Sequence, residues 1–250
     1  MKLRFIGCGA ADYDWSRYGE KGILGSTATL LNGSVLLDCG PTVAKALKRF
    51  GIDSSQITGI VNTHSHSDHF APDVIREIAT ERKILFYGSL QACEQVRDFC
   101  EVRPLTFGDR FECMGCSFLA LPANHAVADL KEETFNYLIT ENNKTLLYAL
   151  DTAWMLTKAR LLIGKTHIDA IVWDATMSEA DDWRIFEHSD PVMFANIRRV
   201  LYTTGVIDDH VKIWFDHRAR TLWPEDPAAC EAIAIKENVM LAHDGETVTF

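Results

Sequence analysis

The sequence predicts one α/β domain in which mixed β-sheets are covered by helices, and three observations carry that expectation. Short apolar runs of strand length alternate with helical runs along all 250 residues. Apolar runs are separated at Asn32-Gly33 and at Asn142-Asn143, pairs that tolerate positive φ and can close a hairpin. A hydrophobic content of 47% suffices for one sizeable core, or for two intimate halves, and no linker, low-complexity tract or short-period repeat divides the chain.

Taken in order, Lys2 to Gly7 reads as the first strand, and the polar, aromatic and Gly-containing stretch from Ala10 to Gly25 as a long loop. Thr27 to Leu31 and Val35 to Asp38 form the first hairpin. Pro41 stands where a helix N1 residue would and Gly51 follows the last turn, so Pro41 to Phe50 is expected to be helical. Gly59 to Asn62 is a short buried strand. Helices over Pro72 to Thr80 and Ser89 to Cys100 flank a strand at Ile84 to Tyr87. Strands follow at Arg110 to Glu112, Ser117 to Leu121, Phe135 to Thr140 and Thr145 to Ala149. Trp154 to Ile163 reads as a helix and Ala170 to Trp173 as a strand. Asp190-Pro191 opens a helix to about Leu201. Val211 to Phe215 is a strand, Asp226-Pro227 opens the last helix, and terminal strands lie near Met240 and Val248.

Charge and cysteine usage exclude several classes. A net charge of −10 makes the chain a poor general binder of nucleic acid, because phosphate affinity needs clustered Lys and Arg. Seven scattered Cys, an odd number, do not form a disulfide framework. The apolar stretch in MKLRFIGCG is too short for a signal-peptide core, and no run reaches the roughly 18 apolar residues of a membrane helix. These features predict a reducing, cytoplasmic protein without a membrane partner; a monomer and a homodimer are both compatible with them.

The chemistry concentrates after the strand at Gly59, in THSHSDHF. His64, His66, Asp68 and His69 lie within six positions, between a buried strand and a helix. In a tight loop His64 and His66 can converge on one ion while Asp68 and His69 face a second. Imidazole and carboxylate suit zinc, manganese or iron, and two ions close together can polarise a substrate oxygen. A solvated polar loop is the bland reading, and three His and one Asp at this spacing weigh against it.

This H-x-H-x-D-H run resembles the signature of the metallo-β-lactamase superfamily, and the resemblance extends over essentially the whole chain. It implies a four-layer αβ/βα sandwich with two divalent ions at the edge of the sheets. It also implies the remaining ligands: His125 in LPANHA on the first metal, Asp151 in YALDTA as the bridging carboxylate, and His217 in WFDHRA on the second metal. Each is weak alone, since a lone strand-end His or Asp is more often structural. Asp151 is a carboxylate and no Cys replaces it, so the site is harder than that of many true β-lactamases; with no export signal, antibiotic hydrolysis is not the expected role.

The stretch from Asp174 to Val200 resembles the region of tRNA 3′-processing endonucleases and phosphoribosyl cyclic phosphodiesterases in which an acidic residue orients a non-ligand His. Asp174 and His188 match those roles, and such a pair can protonate a leaving alkoxide. The tRNA enzymes carry a long gripping arm, often between the third His and the bridging Asp. Here 25 residues separate His125 from Asp151, enough for a hairpin and little else. The expectation is therefore a metal-dependent phosphodiesterase acting on a small or cyclic phosphodiester, by a hydroxide held on two metals and oriented by Asp68, with His188 as acid. Thioester or lactone hydrolysis on the same metals is the alternative, followed by a cofactor-biosynthesis or carrier protein of this fold.

Arg218 is the candidate phosphate-binding residue, because a guanidinium can fork onto phosphate oxygens; for Arg220 a surface ion pair is the favoured reading. In the family the early loop borders the active site, so Tyr13, Trp15, Arg17 and Tyr18 are candidates to stack on a base or sugar, against the alternative of packing on the core. Cys113 and Cys116 flank a hairpin turn at Met114-Gly115, and without two further ligands they are not expected to hold zinc. His167, His210 and His243 match no family position.

Overall fold

Side chains along the central strands are apolar on both faces, which a strand tolerates only when both faces are covered. The computed structural model describes residues 1–80, 82–179 and 182–250. One sheet is built from β1 (Lys2–Gly7), β2 (Ala28–Leu31), β3 (Val35–Leu37), β4 (Gly59–Val61), β5 (Ile84–Gly88), β6 (Cys100–Pro104) and the returning C-terminal β14 (Thr247–Thr249), in the order β14-β1-β2-β3-β4-β5-β6. The other contains β7 (Arg110–Cys113), β8 (Cys116–Pro122), β9 (Phe135–Glu141), β10 (Lys144–Ala149), β11 (Ala170–Asp174), β12 (Lys212–Asp216) and β13 (Met240–Leu241), in the order β13-β12-β11-β10-β9-β8-β7.

Three apolar clusters define four layers. Between the sheets, Leu3 and Phe5 of β1 meet Phe118, Tyr137, Tyr148 and Trp214 of the second sheet. Outside the first sheet, β-residues such as Leu30, Ile60 and Phe86 pack on α1 (Val43–Arg49), α2 (Pro72–Ile78) and α3 (Leu90–Val96). Outside the second, Leu147, Ile171 and Phe215 pack on α4 (Thr157–Ile163), α5 (Pro191–Thr203) and α6 (Pro227–Lys236). The period-2 alternation is visible in β10, where Leu146 and Tyr148 face the inter-sheet core while Leu147 and Ala149 face the helices. This is the αβ/βα sandwich that the family resemblance implied.

Turn chemistry fixes the hairpins. Asn32 and Gly33 adopt φ of 49° and 78° between β2 and β3, and Asn142 and Asn143 adopt 47° and 64° between β9 and β10. Met114 and Gly115, at 49° and 81°, close β7 on β8. Asp190 caps α5 by accepting from the amides of Val192 and Met193, with Pro191 in the first turn. Asp226 and Pro227 repeat this pattern on α6.

Several helical expectations are shorter in the structure. The helix expected over Ser89 to Cys100 ends at Val96, and Cys100 to Pro104 becomes edge strand β6, pairing in parallel with β5 from Ile84↔Cys100 to Gly88↔Pro104. Edge pairing with β5 overrides the helical reading of the last residues. The helix expected from Trp154 begins at Thr157, and the one expected from Pro41 begins at Val43, where the Thr42 side chain bonds to Ser26 rather than capping the helix.

The parallel registers place the chemistry. Ala149 aligns with Trp173, and Asp174 with Asp216. The C-terminal ends of β10, β11 and β12 therefore lie side by side, facing the end of β4, and loops leaving such ends bear the ligand sites of parallel sheets.

Candidate metal centre

The loop after β4 turns tightly: the amides of His69 and Phe70 both bond to the His66 carbonyl, at 3.0 and 2.9 Å. This presents four polar side chains within one turn. His125 arrives after β8, Asp151 after β10 and His217 after β12. Asp151 and His217 hold left-handed φ of 47° and 61°. For non-glycine residues this strain persists only where surrounding structure imposes it, and it is concentrated at functional sites.

The seven residues converge in two groups that share Asp151. On one side, Asp151 Oδ2 lies 3.5 Å from His64 Nε2 and 3.4 Å from His125 Nε2, with His66 Nδ1 2.9 Å from His125 Nε2. On the other, Asp151 Oδ1 lies 2.9 Å from His69 Nε2 and 3.2 Å from His217 Nε2, while Asp68 Oδ2 lies 3.5 and 3.0 Å from the same two nitrogens. One carboxylate thus turns one oxygen to each group. Among the described residues, His64 Nε2, His69 Nε2 and Asp151 Oδ1 are buried without a hydrogen-bond partner. Burying such atoms unpaired is costly, and divalent cations satisfy all of them at once.

The opposite ring nitrogens show that these lone pairs are aimed on purpose. His69 Nδ1 donates to Asp38 Oδ2 at 2.8 Å. The Thr63 hydroxyl donates to the same carboxylate, so it accepts from His64 Nδ1 at 2.9 Å. The Thr176 hydroxyl donates to Asp174 Oδ1 at 2.8 Å and accepts from His217 Nδ1 at 2.7 Å. His125 Nδ1 donates to the Glu187 carbonyl at 3.1 Å. Each of these four rings spends Nδ1 on a partner and turns Nε2 to the cluster, where a divalent ion would take the place of a proton. Burial depresses the pKa of His64 and of His125, keeping both neutral. Burial opposes ionisation of Asp68, yet His69 and His217 hold its carboxyl well below the usual range. The residues present fit two divalent ions, and the all-nitrogen-and-oxygen donor set suits zinc, manganese or iron.

His188 stands beside the cluster. Its Nδ1 donates to Asp174 Oδ2 at 2.9 Å and lies 3.0 Å from the Thr176 hydroxyl. Burial works against its charging, but the Asp174 carboxylate outweighs this and raises the imidazole pKa to about 9. The stretch from Asp174 to Val200 so places its two singled-out residues together; residues 180 and 181 within it lie outside the described residues. His188, His66, Asp68, His125, Asp151 and His217 line a cavity of about 260 Å³, with Trp183 and Arg184 at its wall.

Arg218 requires a correction. Its guanidinium is buried, donates to the Ala242 carbonyl at 2.7 Å and lines a different cavity. Successive side chains of an extended segment point to opposite sides, so Ala219 faces the metal cavity and Arg218 and Arg220 face away from it. The early loop touches the metal cavity through Ala10, Ala11 and Asp12; Tyr13 lines the second cavity, and Trp15, Arg17 and Tyr18 line neither. Cys113 and Cys116 are buried, free and outside every cluster of metal-type ligands among the described residues. His167 and His243 face Asp208 and Glu231 at 3.8 and 2.9 Å, on the surface.

Sequence reasoning missed Asp38, Thr63, Thr176 and Glu132. Glu132 accepts from the Ser65 amide and hydroxyl at 2.9 and 2.6 Å and from the Ser89 hydroxyl at 2.9 Å, tying the metal loop to the start of α3. The only advance signal was a polar residue ending an apolar strand, as Asp38 does.

Fold and site together define a metal-dependent hydrolase of the metallo-β-lactamase type. Residues 34–219 match the beta-lactamase superfamily domain, Lactamase_B_2, and the chain belongs to that family. It is similar to the anti-Pycsar protein Apyc1 of Bacillus phage vB_BsuM-Goe3, 32% identical over 88 residues, which are 35% of this chain and 31% of that protein; the matched part is thus about a third of the relative's length. The fold is shared with the metallo-beta-lactamase fold protein YhfI of Bacillus subtilis, at a TM-score of 0.75 and 14% identity over 99% of this chain and 98% of that one. It is shared equally with a diphosphatase of the PhnP family, at 0.74 and 18% over 100% and 97%.

Proposed function

We propose that the chain is a phosphodiesterase acting on a small or cyclic phosphodiester, with two divalent ions, zinc, manganese or iron, as cofactors. The observation that carries this reading is the His188–Asp174 pair: a buried imidazole held as a cation, lining the metal cavity but outside the seven-residue cluster. Thiolates leave without help, whereas an alkoxide leaving from phosphorus needs a proton.

His64, His66 and His125 would hold one ion, Asp68, His69 and His217 the other, with Asp151 between them. When bound, the ions offset the charge that develops on phosphoryl oxygens and lower the pKa of water. Asp68 orients the nucleophilic water. His188 spends Nδ1 on Asp174 and so delivers its proton from Nε2. The cavity of about 260 Å³ and the short connection from His125 to Asp151 support a small substrate over precursor tRNA. The phosphate chemistry in the name of the diphosphatase relative agrees with this. Seven free, buried cysteines fit a reducing compartment, so the cytoplasm is the proposed location.

The test is a panel assay of metal-analysed protein on bis-p-nitrophenyl phosphate, cyclic nucleotides, a ribose 1,2-cyclic phosphate, a thioester, a β-lactam and precursor tRNA. Small diesters should be the best substrates. Preferred turnover of the thioester, or cleavage of the tRNA trailer with small diesters untouched, sinks the proposal.

A further inference from the structure

Behind the metal cavity lies a second one of about 470 Å³ that the proposed reaction does not use. Lys21, Arg218, Arg220 and His243 line it, against Glu225 and Glu231, and Glu231 already faces His243 at 2.9 Å. Among the described residues, no carboxylate oxygen lies within 4.0 Å of a side-chain nitrogen of Lys21, Arg218 or Arg220. Arg218 is the telling member. It is only 7% exposed, and among the described residues its Nε has no partner and its one side-chain hydrogen bond is to the Ala242 carbonyl. The buried guanidinium feels the Asp216 and Asp244 carboxylates without a direct ion pair to either, and it borders open space. Tyr13 and Trp223 also line the cavity, and the Trp223 indole N–H is spent on the Ala175 carbonyl at 2.7 Å.

The geometry points to an accessory site for an aromatic phosphomonoester, its dianion met by Lys21, Arg218 and Arg220 and its ring by Tyr13 and Trp223. A monoester carries close to two negative charges at neutral pH and a diester only one, so three cations without a direct ion pair among the described residues favour the monoester. On the phosphodiesterase reading, a monoester is the reaction's own product. The two cavities share a wall: His217 faces the metals, Arg218 and Arg220 face the accessory site, and the Arg218 amide and carbonyl bond to Cys8 and Ala10 at 2.9 and 3.1 Å. An occupant there bears on the segment that carries a metal-site imidazole, so product binding lowers turnover without competing for the metals.

Phenyl phosphate titrated calorimetrically into metal-loaded protein tests this, with Lys21→Glu and Arg218→Met beside wild type. Lys21 is exposed and lines only the accessory cavity, so Lys21→Glu should fold and keep its metal content. Both variants should bind phenyl phosphate at least about tenfold more weakly, a loss of about 1.4 kcal/mol. In wild type alone, phenyl phosphate should lower kcat for bis-p-nitrophenyl phosphate. Equal affinity for wild type and Lys21→Glu, or inhibition that is purely competitive in both, places the phosphate on the metals and overturns the inference. Inorganic phosphate binding as tightly as phenyl phosphate overturns the aromatic part. If no diester is turned over, the phosphodiesterase reading fails while the calorimetry still decides the site.

Discussion

Asp38 sets two rings, one directly and one through the Thr63 hydroxyl. The hydroxyl has a single proton, and the Asp38 carboxylate takes it, so only a lone pair remains for His64. Asp38 also takes the Nδ1 proton of His69 and the Thr63 amide proton at 2.7 Å. Asp38→Ala should therefore weaken metal binding by about 10–100-fold, as loss of such outer partners does. Competition against a chromophoric chelator reads this; unchanged affinity would mean that the imidazoles orient themselves. His188→Ala should cost about a hundredfold to ten-thousandfold with an alkoxide leaving group, far less with p-nitrophenolate, and should leave metal content unchanged. Equal losses on both would make His188 a phosphate binder, and lost metal would make it a ligand. The pH dependence follows from the raised pKa. An acid works while protonated, so alkoxide-leaving diesters should turn over below about pH 9 and lose rate above it. Asp174→Asn should move that limb down toward the ordinary imidazole value of about 6.5. It does more than orient His188, however: Asp174 also receives the Thr152 amide at 3.0 Å and the Thr176 amide and hydroxyl, each at 2.8 Å, so the variant should also bind its second metal more weakly.

At the level of elements, the approach of two loops is as demanding as any ligand. A Cβ on Gly40 would sit 2.1 Å from the Asp68 carbonyl and 2.5 Å from Ser26 Oγ. Gly40→Ala should therefore displace the metal loop and empty the second site, whereas Gly33→Ala, with nothing near its Cβ, should cost only the strain of a left-handed alanine, about 1 kcal/mol. Metal analysis and thermal unfolding of the pair separate the two; if Gly40→Ala retains full metal, the close approach is not what positions Asp68. What the sequence made legible follows the same division. Hairpins at Asn32-Gly33 and Asn142-Asn143 and helices opened by Asp190-Pro191 and Asp226-Pro227 depend on local chemistry, and they were readable. The ligand loop was readable because its residues are adjacent in sequence. Strand β6 was not, because edge pairing with β5 decides it. Asp38 and Thr176 were not, because their role exists only once strands far apart in sequence align. Arg218 was misplaced for a simpler reason: adjacency to His217 brings it near the site, and strand alternation points it the other way.

For the whole molecule, the two sheets contribute to one site from opposite sides. His64, His66, Asp68 and His69 follow a strand of the first sheet, while His125, Asp151 and His217 follow strands of the second. The inter-sheet core holds the halves together through Phe5, Phe118, Tyr137 and Trp214, and bound metal would join them again at the open edge. Without metal, the facing imidazoles and carboxylates are left buried and imperfectly paired, which disfavours closure of that edge. Metal binding must then appear as stability of the entire domain, because an unfolded chain cannot gather ligands from both sheets. At a free metal concentration of 100 times Kd, linkage contributes about 2.7 kcal/mol per site, and so about 5 kcal/mol for two. For a chain of this size each kcal/mol moves Tm by roughly 2–4 °C, so removing both ions should lower Tm by about 10–20 °C in one cooperative transition. His66→Ala and His217→Ala should each show a smaller drop on chelation, since each breaks one of the two groups. Calorimetry before and after chelation, with metal content measured in parallel, checks this. A Tm that does not move when both ions leave, or a transition that splits in two, would mean that the sheets are held together by their core alone and that the metals serve chemistry without fastening the fold.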